Sequence, residues 1–191
     1  GGGRGLHRRC RRLDGFPSVR VTVDQAGRIE EALLNSELDV ALIEGVVRHP
    51  HLIRQPFSSY DMAAFCAPSH PLATRSPLSL DDLLTAELLL REPGSAIRDA
   101  FDSALLLRDR CAEPAWTSVN SPALAAAARE GLGVAVLPAC LTEADVAAGR
   151  LVRLEVEGLT LRNQNQLVVH RDKTITPPLR LFMEAVTAEE G

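Results

Sequence analysis

Residues 120–138, NSPALAAAAREGLGVAVLP, carry the reading that decides the fold. Asn120 and Ser121 have the short polar side chains that cap helices, and Pro122 suits a first helical turn, where a missing N–H costs nothing. Residues 124–130 are strong helix formers. Gly131 stops the helix. Residues 134–137 (VAVL) are short and apolar, as a buried strand is, and Pro138 closes them. The same succession stands upstream. Residues 87–90 are an apolar strand, 91–95 (REPGS) a turn and 97–106 (IRDAFDSALL) an amphipathic helix. Each unit delivers a small polar residue to a helix N-terminus, where unpaired N–H groups and the positive end of the dipole favour an anion.

Working outward, strands and helices alternate, which predicts an α/β fold with largely parallel sheets. The pattern predicts a helix over 4–13, a strand at 19–23 (VRVTV), a helix over 29–34 and a buried strand at 39–43 that ends at Glu44-Gly45. Residues 52–57 and 61–66 are extended. Pro68, Pro71 and Pro77 mark a first crossover, and Ser79 caps a short helix over 80–84. A helix at 141–147, strands at 151–155 and 166–170, and a last helix over 179–186 behind Thr176-Pro177 complete the chain. The polar run 162–166 (RNQNQ) marks a second crossover. Residues 87–90, 134–137 and 151–155 are expected in one subdomain and 19–23, 39–43 and 166–170 in the other, with no single sheet through all six.

Composition narrows the function. The chain has 191 residues, a formal net charge of −4 and 46% hydrophobic residues, a globular balance. Aromatics are only 4%, too few for a nucleic-acid stacking platform. No apolar run approaches the roughly 20 residues of a membrane helix. The opening GGGRGLHRRCRRL has charge but no apolar signal core, and Cys10, Cys66, Cys111 and Cys140 lack CxxC spacing, so reduced thiols and a cytoplasmic location are expected. GxSxG, HExxH and GxxxxGK[ST] are absent, and GLGVAV lacks the third glycine of a dinucleotide fingerprint. Cys66 with His70, and His49-Pro50-His51, are weak metal or thiol signals. No cofactor, no metal and no catalysis are expected.

LREPGSAIRDAF (90–101) followed by SVNSPALAAAAREGLGVAVLP (118–138), with IEEALLNSELDVALIEG (29–45) and CAPSHPLA (66–73) ahead of them in order, resembles the effector-binding domain of LysR-type transcriptional regulators. The resemblance runs from about Leu6 to Val186. It implies a type 2 periplasmic-binding-protein-like fold of two α/β subdomains joined by crossing strands, with an effector cleft between them. On this reading 1–66 with 162–191 form one subdomain and 67–161 the other. It also implies a homodimer or tetramer, with the Arg-rich segment 4–12 and the face Ala123, Ala126, Ala127 near the contact. The alternatives are a transporter's solute-binding protein or an enzyme on the same scaffold.

The expected effector residues follow. Gly94-Ser95 stands at a strand-to-helix turn. Ser95 is either a plain cap worth about 1 kcal/mol or, as the resemblance implies, a hydroxyl facing a small anionic metabolite. Of Asn120 and Ser121, one must cap and the other is left for the ligand. Glu44 ends a strand, where ligands of open α/β sheets bind. Arg98 and Arg28 are the cations that could offset its charge; the plainer reading of both is a solvated helix charge. The Arg run at 4–12 invites a nucleic-acid reading, but a solvated or interface helix suits the acidic remainder better. The family's helix-turn-helix, through which it reads DNA, has no counterpart here. Its first central strand and Ser/Thr-rich turn are missing too, and the loop 24–28 (DQAGR) is short. The chain is therefore expected to be a shortened piece of the domain, or one whose first residues are unrepresented.

Overall fold

A computed structural model describes residues 19–75 and 77–188. The chain divides into two compact units, Gly1–Ser59 with Gln164–Gly191, and Tyr60–Asn163.

In the first unit, α1 (Ala26–Leu34) turns its buried Leu33 inward. Ser36, at φ 59°, reverses the chain into β1 (Ala41–Glu44). Burial along β1 alternates, Ala41 and Ile43 inward and Leu42 and Glu44 outward, the period of a half-buried strand. Ala41–Glu44 pairs antiparallel with 165–168 of β7 (Leu161–His170). Val168 joins Leu33, Ala41, Ile43, Val47 and Leu52 in one cluster, while Leu167 and Val169 join Val186 of α6 (Pro177–Thr187) in another. Period-2 alternation thus lets one strand serve two helices on opposite faces.

In the second unit, β3 (Leu88–Arg91) lies parallel to β4 (Pro114–Ser118) and β5 (Val134–Pro138). The later part of β2 (Leu52–Cys66) pairs antiparallel with β5 and with β6 (Val152–Leu154). Leu88 and Leu90 pack with Ile97, Phe101 and Leu105 of α3 (Ala96–Leu106), together with Val134 and Val136. Leu89 faces the other way, with Leu124, Ala125 and Ala128 of α4 (Ser121–Arg129) and with Ala135 and Leu137. Alanines let α4 lie close to the sheet. Ala127 is part of this core, so the expected contact face Ala123, Ala126, Ala127 is split: Ala127 is buried in its own unit and Ala123 is exposed. Asp145, on α5 (Ala139–Ala147), is buried and takes Arg129 and Arg150 at 2.7 Å each, which ties the end of α4 to α5. Ser79 and Asp82 form a reciprocal capping box on α2 (Leu80–Leu84).

Three sequence expectations are corrected. Residues 19–23 form no strand: Val19, Val21 and Val23 are 46%, 70% and 92% exposed, and no described strand pairs with them. An apolar alternation without a ladder partner has nothing to hold it extended. Residues 52–66 are one strand rather than two segments, and the chain leaves the first unit inside it, between Ser59 and Tyr60, ahead of the proline-rich stretch. Hydrogen-bonded strand order runs β1-β7-β2-β5-β3-β4, with β6 also on β2, so the other five expected segments share one ladder. Strands β2 and β7 each run through both units. Pro71–Thr74 forms a 3-10 turn capped by His70. The expected helix over 4–13 lies outside the described residues.

Gly133 permits the close approach of β5 to β3. A Cβ there would lie 2.1 Å from the Glu87 carbonyl oxygen, on a residue at φ 153°. Gly131, at φ 79°, has open space around its missing Cβ. Gly133→Ala should therefore cost about 1–3 kcal/mol of overpacking beyond its backbone term. Gly131→Ala should cost only the left-handed conformation, about 1 kcal/mol. Urea unfolding of both variants checks the order, and equal losses would refute the steric account.

Candidate functional site

Strands β3 and β4 run parallel and end together, with Arg91 opposite Ser118. Both chains then turn into helices, so α3 and α4 begin at the same edge of the second unit. This is the carboxyl end of the strands, where open α/β sheets bind ligands.

After β3 the turn closes with the Ser95 N–H donating to the Glu92 carbonyl at 3.2 Å. Pro93 precedes Gly94, which holds φ 84°, the pattern of a type II turn. Ser95 stands at the N-cap of α3, yet its side chain makes no cap hydrogen bond; the residue is 9% exposed. The plain cap reading therefore fails for its hydroxyl. At α4 the cap is Asn120, whose Oδ1 accepts from the Ala123 N–H at 3.2 Å. The Ser121 hydroxyl instead accepts from Nη1 of Arg91 at 2.8 Å.

Arg91 is the residue that sequence reasoning missed. It is the last residue of β3, its side chain is 18% exposed, and Nε and Nη2 donate to the Glu92 carboxylate at 2.8 and 3.0 Å. Its signal was present: an apolar run, LLL, that ends in a cation must carry partners for the charge it half-buries. Arg98 is engaged elsewhere. Its Nε donates to both carboxylate oxygens of Asp102, at 2.8 and 2.7 Å, and Nη1 reaches the Arg91 carbonyl at 3.5 Å.

The structure therefore brings Gly94, Ser95, Arg98, Asn120 and Ser121 to one edge, with Arg91 as the connecting group. Glu44 and Arg28 belong to the first unit. Glu44 is the exposed last residue of β1, opposite Asn165. Arg28 is a solvated helix charge, 73% exposed and 3.6 Å from Asp24.

The weaker chemical signals have structural roles. Cys66 is buried, and burial pushes its thiol up to about 11, which leaves it unreactive. His70 Nδ1 accepts from the Leu72 N–H at 3.2 Å. His49 Nδ1 accepts from the His51 N–H at 3.3 Å, and the two rings meet edge to face. Among the described residues no group of three His, Cys, Asp or Glu is disposed to hold a metal. No described helix is long and apolar enough to cross a membrane.

The family model for the LysR substrate binding domain matches residues 7–190. The uncharacterized HTH-type transcriptional regulator YeiE of Escherichia coli K12 is 31% identical over 166 residues, 87% of this chain and 56% of that protein. The RuBisCO operon transcriptional regulator of Allochromatium vinosum is 28% identical over 171 residues, 90% of this chain and 57% of that protein. The chain thus spans little more than half of these relatives. Among solved structures, the CcmR regulatory domain of Synechocystis PCC6803 in complex with 2-PG superposes with a TM-score of 0.82 at 20% identity, over 97% of this chain and 89% of that one. The effector-binding domain of QuiR in complex with shikimate gives 0.80 at 15% identity, over 98% and 89%. These likenesses show the fold: the mixed α/β sheet with helices is that of LysR regulatory domains, the type 2 periplasmic-binding-protein-like fold.

Hydrogen bonds from Arg91 hold the Glu92 carboxyl below the usual glutamate range, against the opposite pull of burial. A lowered folded value means that the pair's stabilisation is complete above the unfolded glutamate value, about 4.3, and fades as pH falls through the folded one. Glu92→Gln should therefore flatten the acid limb of the stability profile. Urea melts between roughly pH 3 and 7 check this, and an unchanged acid slope would count against the pair.

Proposed function

The chain belongs to the LysR substrate-binding domain family, and from that membership we propose that the β3–β4 edge of the second unit receives a small anionic effector. The observation that carries the reading is Ser95: a nearly buried hydroxyl at a helix N-terminus that caps nothing, beside a second helix N-terminus whose cap is already supplied by Asn120. Free N–H groups of two first turns favour negative charge. The Ser95 hydroxyl adds a donor, and Arg91, its charge matched by Glu92, holds Ser121 in place beside it. The complexes of CcmR with 2-PG and of QuiR with shikimate support a small-molecule ligand.

Nothing at this edge pairs a nucleophile with a base, so the site binds rather than transforms. The effector acts by population shift: it stabilises whichever arrangement of the regulator it binds more tightly. The whole regulator would read DNA through a helix-turn-helix region of the kind its relatives are named for, in the cytoplasm and as a homodimer or tetramer. Resemblance to the family supports the assembly.

Ser95→Ala tests the site. The hydroxyl caps nothing, so the unfolding midpoint should hardly move. One lost hydrogen bond to a charged ligand should weaken binding about tenfold. Calorimetry of parent and variant with small carboxylates, sulfate and phosphate reads both. A variant that binds as tightly as the parent would remove Ser95 from the site.

A further inference from the structure

Arg91 sets a positive charge where positive charge is already present. Its Nη1 donates to the hydroxyl of Ser121, the first residue of α4, so the guanidinium stands at the N-terminal turn of that helix. A helix N-terminus carries the positive end of the dipole, which disfavours a cation and favours an anion. The place therefore calls for a carboxylate, and the protein supplies its own. Nε and Nη2 of Arg91 donate to the two oxygens of Glu92 at 2.8 and 3.0 Å, the paired arrangement in which a guanidinium takes a carboxylate. Glu92 is a replaceable occupant. It lies in the turn after β3 with its side chain 22% exposed, so it can rotate into water without moving a helix. The bond to Ser121 uses Nη1, which Glu92 does not touch, so it survives the loss of Glu92. Arg98 offers no second anion site, because its Nε is committed to Asp102 one turn along the same helix. Beside this ion pair stands the Ser95 hydroxyl, on a residue 9% exposed, with no cap hydrogen bond.

We propose that Glu92 competes with the effector for Arg91: the carboxylate that fills the guanidinium fork is the group that an anionic effector displaces. The exchange is of one anion for another, so the positive helix end and the guanidinium stay compensated throughout. Glu92 thereby sets the concentration at which the domain responds, because every bound anion must first break the internal pair. It also selects for charge: a neutral molecule gives Arg91 nothing that offsets the loss of a carboxylate. All the groups involved belong to the second unit. The inference rests on the reading of the β3–β4 edge as the effector site.

Calorimetry on the full chain with succinate, sulfate and phosphate tests it. Glu92→Gln keeps the size of the side chain and removes its charge, and it should bind these anions about tenfold more tightly than the parent, the effect of freeing one charge-assisted pair. Glu130→Gln removes the same charge at the other end of α4 and should leave the affinities where they are. The parent itself gives a reading that needs no variant: the side-chain carboxyl carbon of Glu92, followed by NMR, should shift as a bound anion frees it from Arg91. A Glu92→Gln protein that gains nothing, a gain matched by Glu130→Gln, or a Glu92 carboxyl signal that ignores a bound anion would overturn the role of Glu92 alone, with Ser95→Ala still deciding the site. If neither the parent nor Glu92→Gln bound any of the three anions, the effector reading would fall and this inference with it.

Discussion

Strand β3 offers no face to water. Leu88 and Leu90 are covered by α3 and Leu89 by α4, and all three leucines are at most 1% exposed. A strand buried on both sides, in a parallel arrangement with β4 and β5, requires a helix on each side. Parallel neighbours also end at a common edge, so the helices that follow β3 and β4 start there together. The convergence of two helix N-termini thus follows from how the core is covered. The polar edge and the apolar core are consequences of one strand arrangement.

Charge then secures what burial has placed. A guanidinium as enclosed as that of Arg91 must replace its lost hydration with hydrogen bonds. Glu92 and Ser121 supply them, and in doing so join the turn after β3 to the first residue of α4. Asp145 does the same at the far end of α4, between Arg129 and Arg150. Such pairs add little as net attraction, but removing one partner leaves a charge without compensation. Their effect is to fix where helices begin and end.

Much of the fold was legible because it is local. Apolar residues at helical or strand period, Gly131 after a helical run, Ser79 three residues ahead of Asp82, and Pro177 at a helix start all act within a few residues of themselves. The helices α2, α3 and α4 and the strands β3 and β5 could be read for that reason. The strand β4 was missed because its residues are half-buried or exposed, Trp116 included at 52%, so burial prints no alternation on its sequence. Its existence depends on its pairing with β3. Residues 19–23 show the converse: an alternation fit for a strand that no described partner completes.

The candidate site divides along the same line. Sequence by itself determined that Gly94-Ser95 and Asn120-Ser121 would stand at helix N-termini, because turns and caps are chosen by neighbouring residues. Only the tertiary structure decided which side chain does what. It assigned the cap to Asn120, left the Ser95 hydroxyl uncommitted, bound Ser121 to an arginine 30 residues away and set Gln166 against a glycine 121 residues away. The physical reason is the reach of the interactions. Propensity and capping act along the chain, whereas a buried polar atom takes its partner from whatever the folded core brings beside it.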